Sequence, residues 1–197
     1  MQTVKQVGVV GLGAMGQGMA GSLRRAGYEV YVCDARPGVA EAFAAQGGVA
    51  CTSPAELAKS CQLIVSVVVN AAQTEEVLFG PQGAAASMAQ GSVFVMCSTV
   101  DPNWSVTLES RLEAMGLLYV DAPISGGAAK AASGQMTMMT AAKPAAYALA
   151  EPLLNAMAAK VYKLGDSAGS GSKVKIINQL LAGVHIAAAA EAKALGL

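Results

Sequence analysis

The sequence is poor in charge, has a single histidine and contains no long run of basic side chains. Only 13% of its 197 residues are charged, and 13 Lys and Arg balance 13 Asp and Glu. Typical soluble domains carry about 25% charged residues. A neutral chain without a basic patch has no electrostatic attraction for nucleic acid or for an anionic membrane. We therefore expect neither of these partners.

Long apolar runs and metal-binding spacings are also missing. The longest weakly polar stretch, 179–190, contains Gln179 and His185 and is too short to cross about 30 Å of hydrocarbon. The cysteines show no CxxC spacing, and a zinc site would need closer ligands than one histidine and scattered thiols provide. We expect no metal site, a cytoplasmic protein, and four free thiols in a reducing environment: Cys33, Cys51, Cys61 and Cys97.

Short apolar runs alternate with Ala-rich stretches of helical spacing. The runs lack the alternation of apolar and polar residues that half-exposed strands show. This lack of alternation is typical of strands that are buried on both faces of a parallel sheet. The predicted strands are 6–10, 29–33, 63–69, 92–97 and 117–120, and the predicted helices are 15–26, 38–46, 54–59, 74–79 and 102–115. Repeated strand–helix–strand units predict a doubly wound Rossmann α/β fold with a mostly parallel sheet.

The pattern changes after Asp121. Residues 121–127 are rich in Pro, Ser and Gly and are predicted to form a loop. A strand, a helix and a last strand follow at 135–140, 144–157 and 160–164. From Ser172 onward one helix is predicted, and because it is apolar around most of its circumference we expect it to be buried by a partner subunit or by further chain. This gives two units, a cofactor domain at 1–166 and the start of an interdomain helix at 167–197.

A glycine loop follows the first predicted strand directly. Gly11-Leu12-Gly13-Ala14-Met15-Gly16 has the spacing GxGxxG, with a strand before it and a helix after it. In this motif the first glycine permits the tight turn, the second lets the backbone approach a pyrophosphate, and the third lets the helix pack on the strand. All six residues are therefore candidates for contact with a dinucleotide, whose phosphates would face the amino end of the helix.

An acidic residue closes the second predicted strand. Asp34 lies 21 positions after Gly13, near the roughly 20 expected of a carboxylate that accepts the ribose hydroxyls of NAD. A carboxylate there also repels a 2′-phosphate, so NAD is favoured over NADP. Arg36, two residues later, leaves this preference open because it offers a phosphate partner. Asp34 as a simple helix cap is the alternative interpretation.

Three ordered motifs resemble the β-hydroxyacid dehydrogenases, a family that includes 3-hydroxyisobutyrate, tartronate semialdehyde and 6-phosphogluconate dehydrogenases. Residues 9–20 resemble its amino-terminal signature, 121–127 its substrate loop, and 169–179 its catalytic-lysine segment. Residues 67–73 and 174–188 further resemble the L-threonate dehydrogenase branch, which oxidises four-carbon sugar acids with NAD. The resemblance implies a chain of roughly 300 residues, with an all-helical domain that completes the active site and a homodimer or homotetramer.

The resemblance places the general acid/base at Lys175. A lysine normally titrates near 10.4, and burial beside a cationic nicotinamide would lower its pKa toward the working pH. Lys173, two residues earlier, is the competing candidate on sequence grounds alone. The family usually has Asn four residues after the lysine, where this sequence has Gln179. The decarboxylating branch has an acid seven residues after it, where this sequence has Ala182, which argues against sugar-phosphate decarboxylation.

Further site residues follow from the same motifs. Ser125, Gly126 and Gly127 are expected to hold the substrate carboxylate with backbone N–H groups and a hydroxyl, or else to form an ordinary turn. Lys175 shares its helix face with two candidate substrate donors three and four positions on, Asn178 and Gln179. Asn70 and Thr99 follow the third and fourth strands listed above, at carboxyl ends where cofactors lie in open α/β sheets.

Three functions remain open at this point. The first is an NAD-dependent dehydrogenase of a small 3-hydroxy acid, with L-threonate as the leading substrate and 3-hydroxyisobutyrate or tartronate semialdehyde chemistry as the alternative. The second is a cofactor-binding module without catalysis. The third is an imine reductase, against which Lys175 argues because that branch tends to replace the catalytic lysine.

Overall fold

The computed structural model describes residues 5–196 of the chain. Runs of β-branched residues form strands where both faces can be buried, and Ala-rich runs between them form helices. Within the described residues the strands are β1 Gln6–Val10, β2 Glu29–Cys33, β3 Val49–Ala50, β4 Leu63–Ser66, β5 Val93–Met96, β6 Leu118–Asp121, β7 Ile124–Ser125, β8 Met136–Ala142 and β9 Ala158–Lys163.

The helices begin at the expected signals, such as the Ser53 side chain that accepts the amide of Glu56 and the Asp101 side chain that caps the helix after it. They are α1 Gly16–Arg25, α2 Val39–Ala44, α3 Pro54–Ala58, α4 Ala71–Phe79, α5 Pro102–Ala114, α6 Gly127–Ser133, α7 Pro144–Met157 and α8 Ser170–Leu195. A short 3₁₀ turn spans Ala85–Ser87.

The strands form one sheet in the order β3-β2-β1-β4-β5-β6-β8-β7, and β9 pairs with β8. All neighbours from β3 to β6 are parallel, whereas β8 runs antiparallel to β6 and β7. The chain leaves β1 toward β2 on one side and returns to β4 on the other. This confirms the doubly wound, mostly parallel Rossmann fold and places a crevice at the carboxyl ends of β1 and β4, where such sheets bind ligands.

Both faces of the sheet are covered by helices. Successive residues of β4 show this, since Ile64 packs into one apolar cluster and Val65 into the other. One cluster includes Leu23 of α1 and Leu153 of α7, and the other includes Leu108 of α5. The absence of alternation in the strand sequences therefore has a simple cause, because neither strand face meets water.

Three local predictions need correction. The strand predicted at 63–69 ends at Ser66, since residues beyond it turn away to begin α4. The loop predicted at 121–127 is wrong in part, because it contains the end of β6, the short strand β7 and the start of α6. Strand β3 was not predicted, because a strand of two residues is too short to show a periodic pattern in the sequence.

Helix α8 runs as one continuous helix over Ser170–Leu195, as predicted. Its first turns are buried against β8, β6 and α5, whereas its apolar side chains from Ile176 to Leu195 are exposed in this chain. None of the helices in the described part of the chain has both the length and the hydropathy needed to cross a bilayer.

Candidate functional site

The glycine loop lies where β1 ends, at the crevice of the sheet. Gly11 has φ +92°, and a Cβ on it would lie 2.6 Å from the carbonyl oxygen of Val67. A Cβ on Gly16 would lie 1.8 Å from the Gly11 carbonyl oxygen, so the start of α1 approaches the loop too closely for any side chain. Gly13 differs, because no heavy atom lies within 4 Å of the position its Cβ would take. The open space beside Gly13 is where a pyrophosphate can reach the backbone.

The remaining loop residues present backbone rather than side-chain chemistry. Leu12 is buried, Ala14 is exposed, and Met15 immediately precedes α1 without a capping side chain. The first turn of α1 contains no acidic residue. Its free N–H groups and the positive end of its dipole are therefore available to an anion. The residues present fit the phosphates of a dinucleotide.

Asp34 follows β2 and is joined to the glycine loop. Its Oδ2 accepts the amide of Leu12 at 2.7 Å. Its Oδ1 accepts the backbone amide and the Nε of Arg36, both at 2.9 Å, and Oδ2 also accepts a guanidinium N–H of Arg36 at 3.1 Å. The Arg36 guanidinium lowers the pKa of Asp34 to about 2. The carboxylate is thus ionised and held against the glycine loop.

Asn70 and Thr99 lie at the carboxyl ends of β4 and β5. The Asn70 side chain caps α4 by accepting the amide of Gln73 at 3.0 Å, and the Thr99 side chain is exposed. Ser98, next to Thr99, is buried and donates to the carbonyl of Val68 at 2.8 Å. This bond ties the two strand ends together, so both candidate residues stand at the same edge of the sheet as the glycine loop.

Lys175 lies on the second turn of α8 and is only 6% exposed. Burial lowers its pKa. Its Nζ donates to Oε1 of Gln179 at 3.0 Å, one helical turn on. Lys173 points elsewhere and is exposed. The fold thus separates the two lysines that sequence spacing left in competition, because only Lys175 is withdrawn from water.

The segment around Ser125 contains two consecutive glycines with positive φ angles. Gly126 and Gly127 have φ +138° and +78°, values that favour glycine. Ser125 pairs with Thr137 in the β7–β8 ladder. Successive N–H groups in turns of this kind can face a carboxylate without a formal positive charge.

Ser125 and Asn178 line one cavity of about 390 Å³. Thr137 and Tyr162 add two further hydroxyl groups to its wall. Lys175 and Gln179 are not among the lining residues; the complete lining is Ser125, Thr137, Met139, Tyr162, Leu164, Val174 and Asn178. The structure therefore brings Ser125 and Asn178 together, and keeps Lys175 on a neighbouring face of the same helix.

One residue near the site escaped the sequence reasoning. Asp121, at the end of β6, is fully buried and accepts the amides of Gly169 and Ser172. Its partners lie 48 and 51 positions away along the chain, so no local spacing points to them. In the sequence, Asp121 stood out only as the first residue of segment 121–127, at the end of an apolar strand, and nothing pointed to its contacts with α8. Within residues 5–196 no three His, Cys, Asp or Glu side chains converge as a metal site would require.

Comparison with known proteins places these features in context. Residues 6–165 match a family model described as the NAD binding domain of 6-phosphogluconate dehydrogenase. The L-threonate dehydrogenase of Cupriavidus necator is 60% identical, over 98% of this chain and 65% of that protein. The L-threonate dehydrogenase of Haemophilus influenzae is 44% identical, over 96% of this chain and 63% of that protein.

A solved structure shows the same architecture. The crystal structure of a 3-hydroxyisobutyrate dehydrogenase from Salmonella typhimurium superposes with a TM-score of 0.91 at 46% identity, over 96% of this chain and 66% of that chain. The chain thus spans a little under two thirds of the length of the curated relatives, 65% and 63%. The names of these relatives differ in their substrate, although all are dehydrogenases.

Proposed function

The chain belongs to the β-hydroxyacid dehydrogenase family, whose NAD-binding domain its residues 6–165 match, and from that premise we propose that the whole protein oxidises the hydroxyl of L-threonate with NAD. The observation that carries the catalytic part of the proposal is the burial of Lys175 at the start of α8. Support for the substrate comes from the 60% identity to an L-threonate dehydrogenase.

The cofactor domain holds NAD through the glycine loop and Asp34. The backbone beside Gly13 and the amino end of α1 would hold the pyrophosphate, and Asp34 would accept the ribose hydroxyls. Asn70 and Thr99 contact the cofactor at the ends of β4 and β5. Bound NAD supplies the hydride acceptor.

Lys175 takes the proton of the substrate hydroxyl. Removal of that proton from oxygen, together with transfer of hydride from the carbon that bears the hydroxyl, leaves a carbonyl. The hydride carries two electrons and one proton, and the second proton goes to Lys175. Burial lowers the pKa of Lys175 and increases the fraction of neutral amine that can accept the proton. Gln179 accepts a hydrogen bond from the lysine and fixes its direction.

Ser125, Gly126 and Gly127 hold the substrate carboxylate, and Asn178 and Gln179 donate to its hydroxyl or carboxylate groups. In the proposed organisation, residues 1–166 form the cofactor domain and residues 167–197 begin a helix that leads to an all-helical domain. That domain completes the substrate site and the dimer or tetramer. The proposal for a larger protein is supported by the length of the relatives.

A second candidate is oxidation of 3-hydroxyisobutyrate, which is favoured by the name of the Salmonella structure at 46% identity. The deciding experiment is a substrate panel with the full-length protein and NAD. NADH formation should be fastest with L-threonate, slower with 3-hydroxyisobutyrate and with glycerate, the alcohol that is oxidised to tartronate semialdehyde, and absent with 6-phosphogluconate. A higher kcat/KM for 3-hydroxyisobutyrate than for L-threonate would make 3-hydroxyisobutyrate the proposed substrate. NAD binding without turnover of any hydroxy acid would favour a non-catalytic module.

A further inference from the structure

Helix α8, which carries Lys175, begins without a cap of its own. Its cap position is Gly169, with φ +100° and no side chain to accept the amides of the first turn. The first four N–H groups of any helix have no partner inside the helix. A buried helix start that left these groups unpaired would lose the free energy of their hydrogen bonds to water without compensation. Something outside the helix has to accept them.

Asp121 accepts two of these groups, and Glu109 accepts the amide just before them. Oδ2 of Asp121 accepts the amides of Gly169 and Ser172, both at 2.9 Å, and Oδ1 accepts the Ser172 hydroxyl at 2.6 Å. Both oxygens of Glu109, on α5, accept the amide of Ala168 at 3.2 Å. We call Asp121, Glu109 and the segment 168–172 the α8 anchor. Through it, the start of α8 is bonded to both β6 and α5.

The anchor is electrostatically costly for its own carboxylates. Asp121 has no exposed surface and Glu109 is 6% exposed, and burial raises the pKa of both carboxyl groups. An apolar pair of similar volume would avoid this cost. The presence of two buried carboxylates is therefore weak evidence that they stabilise the fold. What the carboxylates do provide is direction, because each accepts specific N–H or O–H groups at a fixed distance.

The helix start also packs closely against its neighbours. A Cβ on Gly171 would lie 2.5 Å from the carbonyl oxygen of Met139 and 3.0 Å from that of Asp121. The backbone of α8 thus lies directly against β8 and β6 at this point. Lys175 follows Ser172 by about one helical turn, so these contacts set the position of its backbone.

Asp121 also begins the segment that leads to Ser125. The same carboxylate therefore joins the candidate carboxylate-binding turn to the candidate acid/base segment. We propose that Asp121 and Glu109 are positioning residues that set the distance between the turn Ser125–Gly127 and Lys175. This inference rests on the proposed function, in which those two groups act on one substrate molecule.

The test uses three variants of the full-length protein. Ser172→Ala removes only the hydroxyl bond to Asp121, whereas Asp121→Asn removes the charge and replaces one of the two acceptor oxygens with an N–H₂ donor, so it cannot accept all three of these bonds. Glu113→Gln is the matched control, because Glu113 lies on α5 one turn after Glu109 but pairs with Lys143 at the surface. A misplacement of about 1 Å can cost about 10²-fold in rate, so kcat should fall toward that figure in Asp121→Asn and by about tenfold in Ser172→Ala. The Kd for NAD should change less than twofold in all three.

A second readout does not depend on turnover. Each variant is treated briefly with an amine-acylating reagent, and mass spectrometry compares labelling of buried Lys175 with that of exposed Lys173. The ratio of Lys175 to Lys173 labelling should be low in the wild type and in Glu113→Gln, and should rise at least severalfold in the two anchor variants. If Asp121→Asn does not fold, Ser172→Ala still gives both measurements.

The outcomes separate the two proposals. A wild type that turns over no hydroxy acid would overturn the proposed function, and the anchor would then be judged by the labelling ratio. If the wild type is active and both anchor variants have the same kcat as the wild type, the inference is overturned, whatever the labelling shows. Equal losses in kcat and in NAD affinity would also overturn it, because they would indicate general loosening of the fold.

Discussion

Replacement of Asp34 should narrow the preference for NAD over NADP, and replacement of Arg36 should widen it. An ionised carboxylate has about four acceptor sites. In this structure they meet four donors: the amide of Leu12, the amide of Arg36 and two guanidinium N–H groups. A ribose hydroxyl can therefore reach Asp34 only when the Arg36 side chain moves away, and that side chain is 61% exposed and able to move.

The magnitude follows from the bonds involved. A hydrogen bond to a charged group contributes about 1.5–3 kcal/mol net, and about 1.4 kcal/mol is a factor of ten in Kd. Asp34→Ser should thus weaken NAD binding by about 10-fold to about 100-fold. The lower figure is expected because Arg36 already competes for the carboxylate. Loss of the negative charge should strengthen NADP binding at the same time, since Arg36 is then free to pair with the 2′-phosphate.

The assay is a calorimetric titration of each variant with NAD and NADP. Asp34→Asn is the control for the glycine loop, because it keeps an oxygen for the Leu12 amide while it removes the charge. Arg36→Ala should tighten NAD and weaken NADP. If the ratio of the two Kd values is the same in the wild type, Asp34→Ser and Arg36→Ala, the ribose assignment for Asp34 is refuted.

Four further predictions concern the two lysines and three glycines. Lys175→Ala should lower kcat by at least about 10²-fold with little change in the Kd for NAD, whereas Lys173→Ala should be mild because its side chain is exposed; the opposite pattern would show that the lysine assignment is wrong. Since oxidation needs the neutral amine and burial lowers the pKa of Lys175, kcat in the wild type should rise with pH through an inflection below about 10.4, and Lys175→Ala should abolish that inflection. Gly13→Val should fill the open space beside the loop, so calorimetry should show weaker NAD binding while the Tm stays within a few degrees. Gly171→Ala should lower the free energy of unfolding by about 1–3 kcal/mol through overpacking, as measured by urea denaturation. Gly183→Ala, where a Cβ meets nothing within 4 Å, should instead be neutral or stabilising by up to about 1 kcal/mol.

Short-range pattern was enough to predict most of the framework. The strands of the parallel sheet are runs of Val and Ile whose neighbours face opposite apolar clusters, as Ile64 and Val65 do, and such runs are visible in the sequence itself. The glycine loop and Asp34 were predictable because a turn, a helix start and a strand end each have local chemical requirements. The start of α8 was predictable to within two residues, since the glycine-rich segment before the run of helix formers placed it at Ser172 and the helix begins at Ser170.

Features that depend on pairing were not predictable in this way. Strand β7 was assigned to a loop, since Ile124–Ser125 become a strand only by pairing with Met138 and Thr137. Helix α6, beyond its first residue Gly127, was assigned to no element. The interaction of Arg36 with Asp34 could be anticipated as a possibility, but its use of both carboxylate oxygens depends on side-chain geometry.

The sequence by itself determined the alternation of strands and helices, the glycine loop and the acid that faces it, because each is encoded within a few neighbouring residues. Tertiary structure decided which lysine of the pair is buried, since Lys173 and Lys175 have the same chemistry and differ only in what the fold packs around them. It also decided that Asp121 and Glu109 accept hydrogen bonds from backbone N–H groups at and just before the start of α8, which lie 48 to 59 positions away along the chain. The physical reason is that burial and hydrogen-bond direction are properties of the folded neighbourhood, to which residues far apart in the chain contribute together.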